Sequence, residues 1–379
     1  MMRALKLGTL RLLRSSGVSA RIRDSRWRRE RLLILCYHGV SLEDEHDWRP
    51  KLYMTREALR ERFQSLQQGG YNVLPLGEAV ERLYRNDLPA RSVVLTFDDG
   101  GFDFYQQASP LLREFGYPAT VYQTTYYSDF PKPVFGISAS YFLWKRQGER
   151  LEPPSDLGLQ ATMDLRSEEG RRRVVAELDK LCARESLTGQ QKNNLLQRLA
   201  QVLGIDFEQF QAKRLLQIMR PGEIAAMASA GFDLQLHTHR HRTPLDRELF
   251  RQEIADNRGR IIAASGRAAT HFCYPSGHYE TAFFPWLEQE GVISATTCDP
   301  GLASRQSHPL LLPRFVDTSL QPLYVFEAWL SGAGHLTSAR RPAEAARSSE
   351  RSSERSSERP GKRSGASSGE RASEPTAVS

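Results

Sequence analysis

The run SVVLTFDDGG, residues 92–101, passes from apolar residues to two adjacent carboxylates and two glycines within a few positions. Val93, Val94 and Leu95 are β-branched or bulky and too few for a helix, so they read as a buried strand. Gly100 and Gly101 then turn the chain. Asp98 and Asp99 are thereby delivered to the C-terminal lip of a strand, where α/β folds collect their catalytic groups. Consecutive side chains leave a strand on opposite faces, so one carboxylate is free to hold a metal while its neighbour moves protons. An Asp pair before a helix also serves as an N-cap, so the motif needs partners from elsewhere in the chain.

The flanking sequence repeats a strand and helix rhythm. RLLILCYHGV (31–40) gives a strand candidate over Leu32 to Tyr37, with His38 at its end and Gly39 behind it. Thr55 is the N-cap of a helix that shows Leu59, Phe63 and Leu66 on one face and stops at Gly69 and Gly70. A short strand at Tyr71 to Leu74, a helix from Pro75 to Tyr84, the Asp98 strand, a helix near Tyr105 to Phe115 and a strand at Ala119 to Gln123 follow. This alternation predicts a parallel sheet wound by helices, open or closed into a barrel.

From about 129 to 220 the rhythm breaks into long polar stretches with helical spacing, such as Val174, Val175, Leu178, Leu181 and later Leu195, Leu196, Leu199, Val202. A helical insertion on the loop after a strand is expected there, either walling a cleft or meeting a partner. A helix over Pro221 to Ala230 restores the pattern, and FDLQLHTHRH (232–241) then alternates as a strand before running into three histidines. His237 and His241 reach one ion if the chain bends or begins a helical turn there, and His239 points elsewhere in either conformation. The next helix carries Leu249, Ile254, Ile261 and Ile262 toward the core. THFCYPSG (270–277) is a short strand ending in a Pro-Ser-Gly turn, and further strands are expected at Ile293 to Thr297 and Leu311 to Phe315.

Of 379 residues, 40% are hydrophobic, which is enough for one large α/β domain with extensions. The net charge of +7 is local: Met1 to Arg31 holds ten Lys or Arg against two acids. Residues 1–30 therefore read as a basic arm, either suited to an anionic membrane surface or a solvated, partly helical extension with no partner, and no nucleic-acid partner is expected. Arginines interrupt every apolar run in the arm, so the chain reads as cytoplasmic with membrane contact through the arm, a short or atypical export signal staying open. Cys36, Cys182, Cys273 and Cys298 have no CxxC spacing and read as reduced thiols. Residues 336–379 centre on a Ser-Ser-Glu-Arg repeat (348–359) with no apolar residue in it, the composition of a disordered tail.

TFDDG, then H-T-x-x-H, then a strand closing on Tyr-Pro-Ser-Gly resembles the polysaccharide deacetylase family with the NodB homology domain, carbohydrate esterase family 4. The resemblance spans roughly Leu32 to Leu330 without the insertion. It implies an α/β fold, a deformed or incomplete (β/α) barrel with its site at the C-terminal rim. It implies one divalent ion, zinc first, with manganese, cobalt, nickel or iron able to replace it, held by Asp99, His237 and His241. Asp98 becomes the catalytic base, and the turn of Tyr274, Pro275, Ser276 and Gly277 supplies a backbone N–H to the oxyanion. The implied substrate is an N-acetylated polysaccharide or oligosaccharide of N-acetylglucosamine type.

Two departures from the family pattern are visible. No late Leu-x-His motif supplies an acid for the leaving amine, which leaves His38, His308 or Asp98 itself. Cys273 stands where many relatives carry an arginine that orients the base, so Arg314 is expected to reach in and grip Asp98 with two hydrogen bonds. Two other readings keep the fold: a catalytically silent carbohydrate-binding or assembly protein, and a deacetylase of a non-sugar amide.

Overall fold

The structure, a computed structural model, describes residues 17–159 and 162–337. Eight parallel strands make the main sheet: β1 (Leu33–Tyr37), β2 (Asn72–Val73), β3 (Ser92–Phe97), β4 (Thr120–Gln123), β5 (Asp233–Leu236), β6 (His271–Cys273), β7 (Ser294–Thr296) and β8 (Phe315–Val316). They run in the order β7-β6-β5-β4-β3-β1-β8, with β2 attached to the start of β3. At the seam, Thr296 bridges to Leu312, and three residues later β8 pairs with β1 through Leu35–Phe315 and Cys36–Val316. The sheet is thus drawn almost round on itself, which is the deformed (β/α) barrel expected. The buried, branched residues of β1 and β3 pair along their whole length and form its centre.

The outer helices are α1 (Arg56–Gln68), α2 (Leu76–Arg85), α3 (Ser109–Phe115), then α4 (Phe135–Lys145), α5 (Glu168–Arg184), α6 (Gly189–Val202) and α7 (Phe207–Ala212) in the insertion. They are followed by α8 (Pro221–Ser229), α9 (Arg247–Ser265), α10 (Phe283–Gln289) and α11 (Leu323–Ser331). Thr55 caps α1 by accepting from the Ala58 N–H, as its position before the apolar face requires. The insertion starts its helices in the same way: Ser167 caps α5, Thr188 and Gln191 form a capping box on α6, and Asp206 caps α7. Its apolar residues, among them Phe142, Leu178, Leu199 and Phe210, close a core of their own, separate from that of the barrel.

Several expectations are corrected. In α9 the buried face is Phe250, Glu253, Ile254, Asn257 and Ile261, while Leu249 and Ile262 are 41% and 42% exposed. The helix is rotated so that two polar residues are buried, for a reason given below. The final strand begins at Phe315, because Pro309–Leu311 forms a tight turn instead. The second half of the basic arm is docked. Helix Val18–Arg23 packs on α11, and Arg28 is fully buried, donating to the carbonyls of Leu330, Arg31 and Ser92. Burial lowers the Arg28 guanidinium to about 10. Residues 1–16 of the arm, and the Ser/Glu/Arg tail from residue 338 on, lie outside the described residues. No helix among the described residues is long and apolar enough to cross a membrane.

Candidate metal centre

Strand β3 ends at Phe97, so Asp98 and Asp99 lie just beyond it, and backbone conformation rather than strand alternation sends them apart. Asp99 has φ +71° and Gly100 φ +73°. A side chain at Gly100 would overlap Gln123, so glycine is required there. The Asp99 carbonyl accepts from both the N–H and the hydroxyl of Thr124 at the end of β4, which pins this left-handed turn. Asp98 continues the line of the strand into the barrel and is buried.

The histidine loop follows β5 and bends twice, with Thr238 at φ 62° and His241 at φ 56°. These bends bring His237 and His241 together with ring centroids 4.9 Å apart. Their Nε2 atoms lie 3.3 Å and 3.2 Å from Asp99 Oδ1. The buried polar face of α9 holds the loop in place. The Asn257 side-chain oxygen accepts from the His237 N–H, and its amide donates to the Gln123 carbonyl and the Thr125 hydroxyl. Glu253 accepts from the Arg240 N–H and from the side chains of Arg240 and Arg242.

Two observations show that this triad fits a cation. Asp99 Oδ1 is buried with no hydrogen-bond partner, although two imidazoles face it. His237 Nδ1 lies 2.8 Å from the Cys273 carbonyl, which can only accept, so the tautomer leaves a lone pair on Nε2. Two imidazoles and a carboxylate converging on one point are the donor set of hydrolytic zinc sites, with positions left open. His239 faces away from the triad, its Nδ1 2.9 Å from the Thr125 hydroxyl.

Asp98 is held on the other side of the turn. Arg314 reaches in from the seam and donates to Oδ1 and Oδ2 at 2.7 Å each, and also to Thr96 Oγ1, the Thr297 carbonyl and the Cys273 sulfur. Both members of the pair are buried. Burial opposes ionisation of Asp98, but the guanidinium outweighs it and, with His38 and His237, holds the carboxyl well below the usual carboxylate range. The thiols of Cys36 and Cys273 each lie 3.5 Å from Asp98 Oδ2. The smaller Cys273 leaves room at the place where an arginine was expected, and Arg314 fills it.

His38 Nε2 lies 3.8 Å from Asp98 Oδ2. His308 is elsewhere: it stacks on Phe284 and accepts from the Leu310 N–H as the cap of the Pro309–Leu311 turn, which removes it as an acid candidate. The Tyr274 ring is in the core, its hydroxyl donating to the Leu310 carbonyl and its N–H to the Thr296 carbonyl. In the turn that follows, Pro275 has no N–H and Gly277 donates to the Tyr274 carbonyl, so the amide left over is that of Ser276, at φ 57°.

A cavity of about 390 Å³ opens over Asp98, Asp99 and His241. Its far wall comes from the insertion. The segment leaving the insertion is stitched to the motif turn: the Phe102 N–H donates to the Gln217 carbonyl and the Met219 N–H to the Gly100 carbonyl. Asp103, next along the turn, faces the cavity and accepts from the Val40 N–H at 2.6 Å. Burial raises its carboxyl to about 7. Asp103, Glu253 and Asn257 were not singled out from sequence. The available signal was the i, i+4 spacing of Glu253 and Asn257 within an apolar helix face.

The family model for polysaccharide deacetylases matches residues 85–135 and 191–292, which include both aspartates and both triad histidines. The chain belongs to the polysaccharide deacetylase family. The gap in that match, 136–190, falls within the insertion. Over 95 residues the chain is 34% identical to the poly-β-1,6-N-acetyl-D-glucosamine N-deacetylase of Escherichia coli K12, a match that covers 24% of this chain and 14% of that protein. The deacetylase PplD of Streptococcus pyogenes superposes with a TM-score of 0.51 at 18% identity, covering 76% of this chain and 93% of PplD. That likeness concerns the fold.

Proposed function

We propose that this polysaccharide deacetylase family member is a metal-dependent hydrolase that removes N-acetyl groups from amino sugars of a glycan. The observation that carries the reading is the convergence of Asp99, His237 and His241 beside a second carboxylate, Asp98, that is ion-paired and faces the same cavity. The E. coli relative, by its name an N-deacetylase of a polymer of N-acetylglucosamine, supports the substrate class.

In this reading Asp99, His237 and His241 would hold one divalent cation. Zinc suits the donor set, and manganese, cobalt, nickel and iron accept it as well. When bound, the ion supplies Lewis-acid polarisation of the amide carbonyl and acidifies water at neutral pH. Asp98 takes the proton of the attacking water. Its ion pair makes it a weak base, matched to a water acidified in this way, and fixes the direction of its lone pairs. Arg314 acts through Asp98 and is a positioning residue. The Ser276 N–H is assigned to the developing oxyanion. The amine leaves with a proton returned by Asp98, or delivered by His38 from across the carboxylate. The catalytic unit covers the barrel with the insertion at about 129–220 as its wall.

The test is acetate release from N-acetylglucosamine oligomers by the zinc-loaded chain beside Asp98→Asn. Activity is expected to vanish in the variant while its metal content is retained. Release that survives the substitution removes Asp98 from the mechanism.

A further inference from the structure

The cavity over the triad has two unlike halves. The barrel side is polar and carries the chemistry. The opposite side, built by the insertion and the 49–53 segment, presents six aliphatic side chains, Leu52, Val134, Ile137, Val175, Leu216 and Ile218, beside Tyr53, Gln217 and Asp179. Five of these six are only half-buried, so they present aliphatic surface to the cavity after the insertion's own core is complete. A sugar polymer offers hydroxyls along its length, and pressing them against branched aliphatics leaves them without partners. An apolar chain loses nothing there and sheds water.

The charged groups around this wall point the same way. Arg49 faces the cavity with its guanidinium stacked on Trp48 at 4.4 Å. Its side chain makes one long hydrogen bond, 3.4 Å to the Ser140 hydroxyl, and no carboxylate lies within ion-pair distance among the described residues. Burial lowers its affinity for the proton. The other arginine in the lining, Arg240, is already paired with Glu253. A stacked guanidinium with no directly paired carboxylate, Glu168 acting on it only from a distance, at the margin of an aliphatic wall, is a receptor for a phosphate carrying an apolar chain. Asp179, the insertion's one acid in the lining, is left to accept from sugar hydroxyls.

We infer that the substrate is an N-acetylated amino sugar joined through phosphate to an aliphatic chain, with the acetamide at the triad, the phosphate at Arg49 and the chain along the insertion wall. This rests on the deacetylase reading above. The reaction is hydrolysis alone: water adds to the amide carbon, the C–N bond breaks, the nitrogen takes the proton, and acetate and the lipid-linked amine are released.

The experiment compares kcat/KM for acetate release from four compounds: dodecyl-phospho-N-acetylglucosamine, N-acetylglucosamine 1-phosphate, dodecyl N-acetylglucosaminide and the N-acetylglucosamine pentamer. The first is expected to exceed each of the others by at least about tenfold, since each methylene buried adds roughly fourfold to binding. Arg49→Gln should bring the ratio of the first to the third close to one. Ile137→Asn should do the same for the ratio of the first to the second. Binding of dodecyl phosphate, followed by the fluorescence of Trp48, gives a readout without turnover and should weaken at least tenfold in Arg49→Gln. Preference for the pentamer, with no saturable binding of dodecyl phosphate, overturns the inference and leaves the deacetylase standing. Saturable binding without acetate from any of the four overturns the deacetylase reading and not the receptor.

Discussion

Replacing Arg314 by alanine tests the buried pair that holds Asp98. The arginine makes six hydrogen bonds, two of them with the carboxylate at 2.7 Å, and both partners are buried. Removing it strands a buried charge whose remaining neighbours are two thiols, His38 and His237. Such truncations cost about 3–5 kcal/mol. At roughly 2–4 °C per kcal/mol for a domain of this size, the melting temperature should fall by roughly 6–20 °C. The mechanism predicts more than a loss. Asp98→Asn combined with Arg314→Ala removes the stranded charge, so the double variant should regain much of the stability lost by Arg314→Ala. Arg314→Lys keeps the charge but cannot donate in parallel to both oxygens, so it should fold and lose about a hundredfold in kcat/KM from misdirection of the base. Urea denaturation of the four proteins with acetate-release kinetics on those that fold measures all of this. A double variant as unstable as Arg314→Ala would show that the cost is not electrostatic and refute the argument.

Other expectations follow from the same geometry. His237→Ala should lose the bound ion, whereas His239→Ala, whose ring faces Thr125, should retain it, as read by metal analysis after dialysis. Glu253→Gln should weaken the histidine loop and lower metal affinity about 10–100-fold with the helix intact, measured by competition with a chelator. Asp103 has its folded value raised by burial to about 7, so its contribution to stability is fully present below the unfolded carboxylate value and is lost as pH rises through 7. Asp103→Asn should therefore gain stability over the parent protein at pH 8 and none at pH 4, by thermal melts at both. Arg28→Ala leaves three buried carbonyls without a donor and should cost about 1–3 kcal/mol for each that water cannot reach, visible as a lower denaturation midpoint.

The sheet was legible because its strands are short apolar runs closed by glycines and its helices carry caps, features that act locally. Thr55 and Gly69 sit where the pattern places them. The grip of Arg314 on Asp98 was legible through a resemblance, since a missing arginine at Cys273 called for a substitute. What failed was whatever depends on rotation or on distant contacts. Nothing in the periodicity of α9 says that Glu253 and Asn257 outrank Leu249 and Ile262 for the interior. Their burial is decided by a loop more than ten residues upstream. Arg28 misled for the same reason: its carbonyl partners lie at residues 31, 92 and 330, so composition showed only a basic arm. The separation of Asp98 from Asp99 was expected, but its cause is the left-handed turn at Asp99.

The insertion closes a hydrophobic interior of its own and is tied to the rest of the chain by contacts such as Asp44 with Tyr141 and Lys145, Glu43 with Lys213, Arg49 with Ser140, Trp48 with Tyr141, and the strand-like stitch at Gly100 to Met219. Substitutions in the part of the wall remote from that stitch, such as Ile137 and Val175, leave the Asp98, Asp99 and imidazole geometry opposite in place. A lineage with this architecture can change what its cavity accepts by rebuilding one module, while the triad and the paired carboxylate beside it are inherited unaltered.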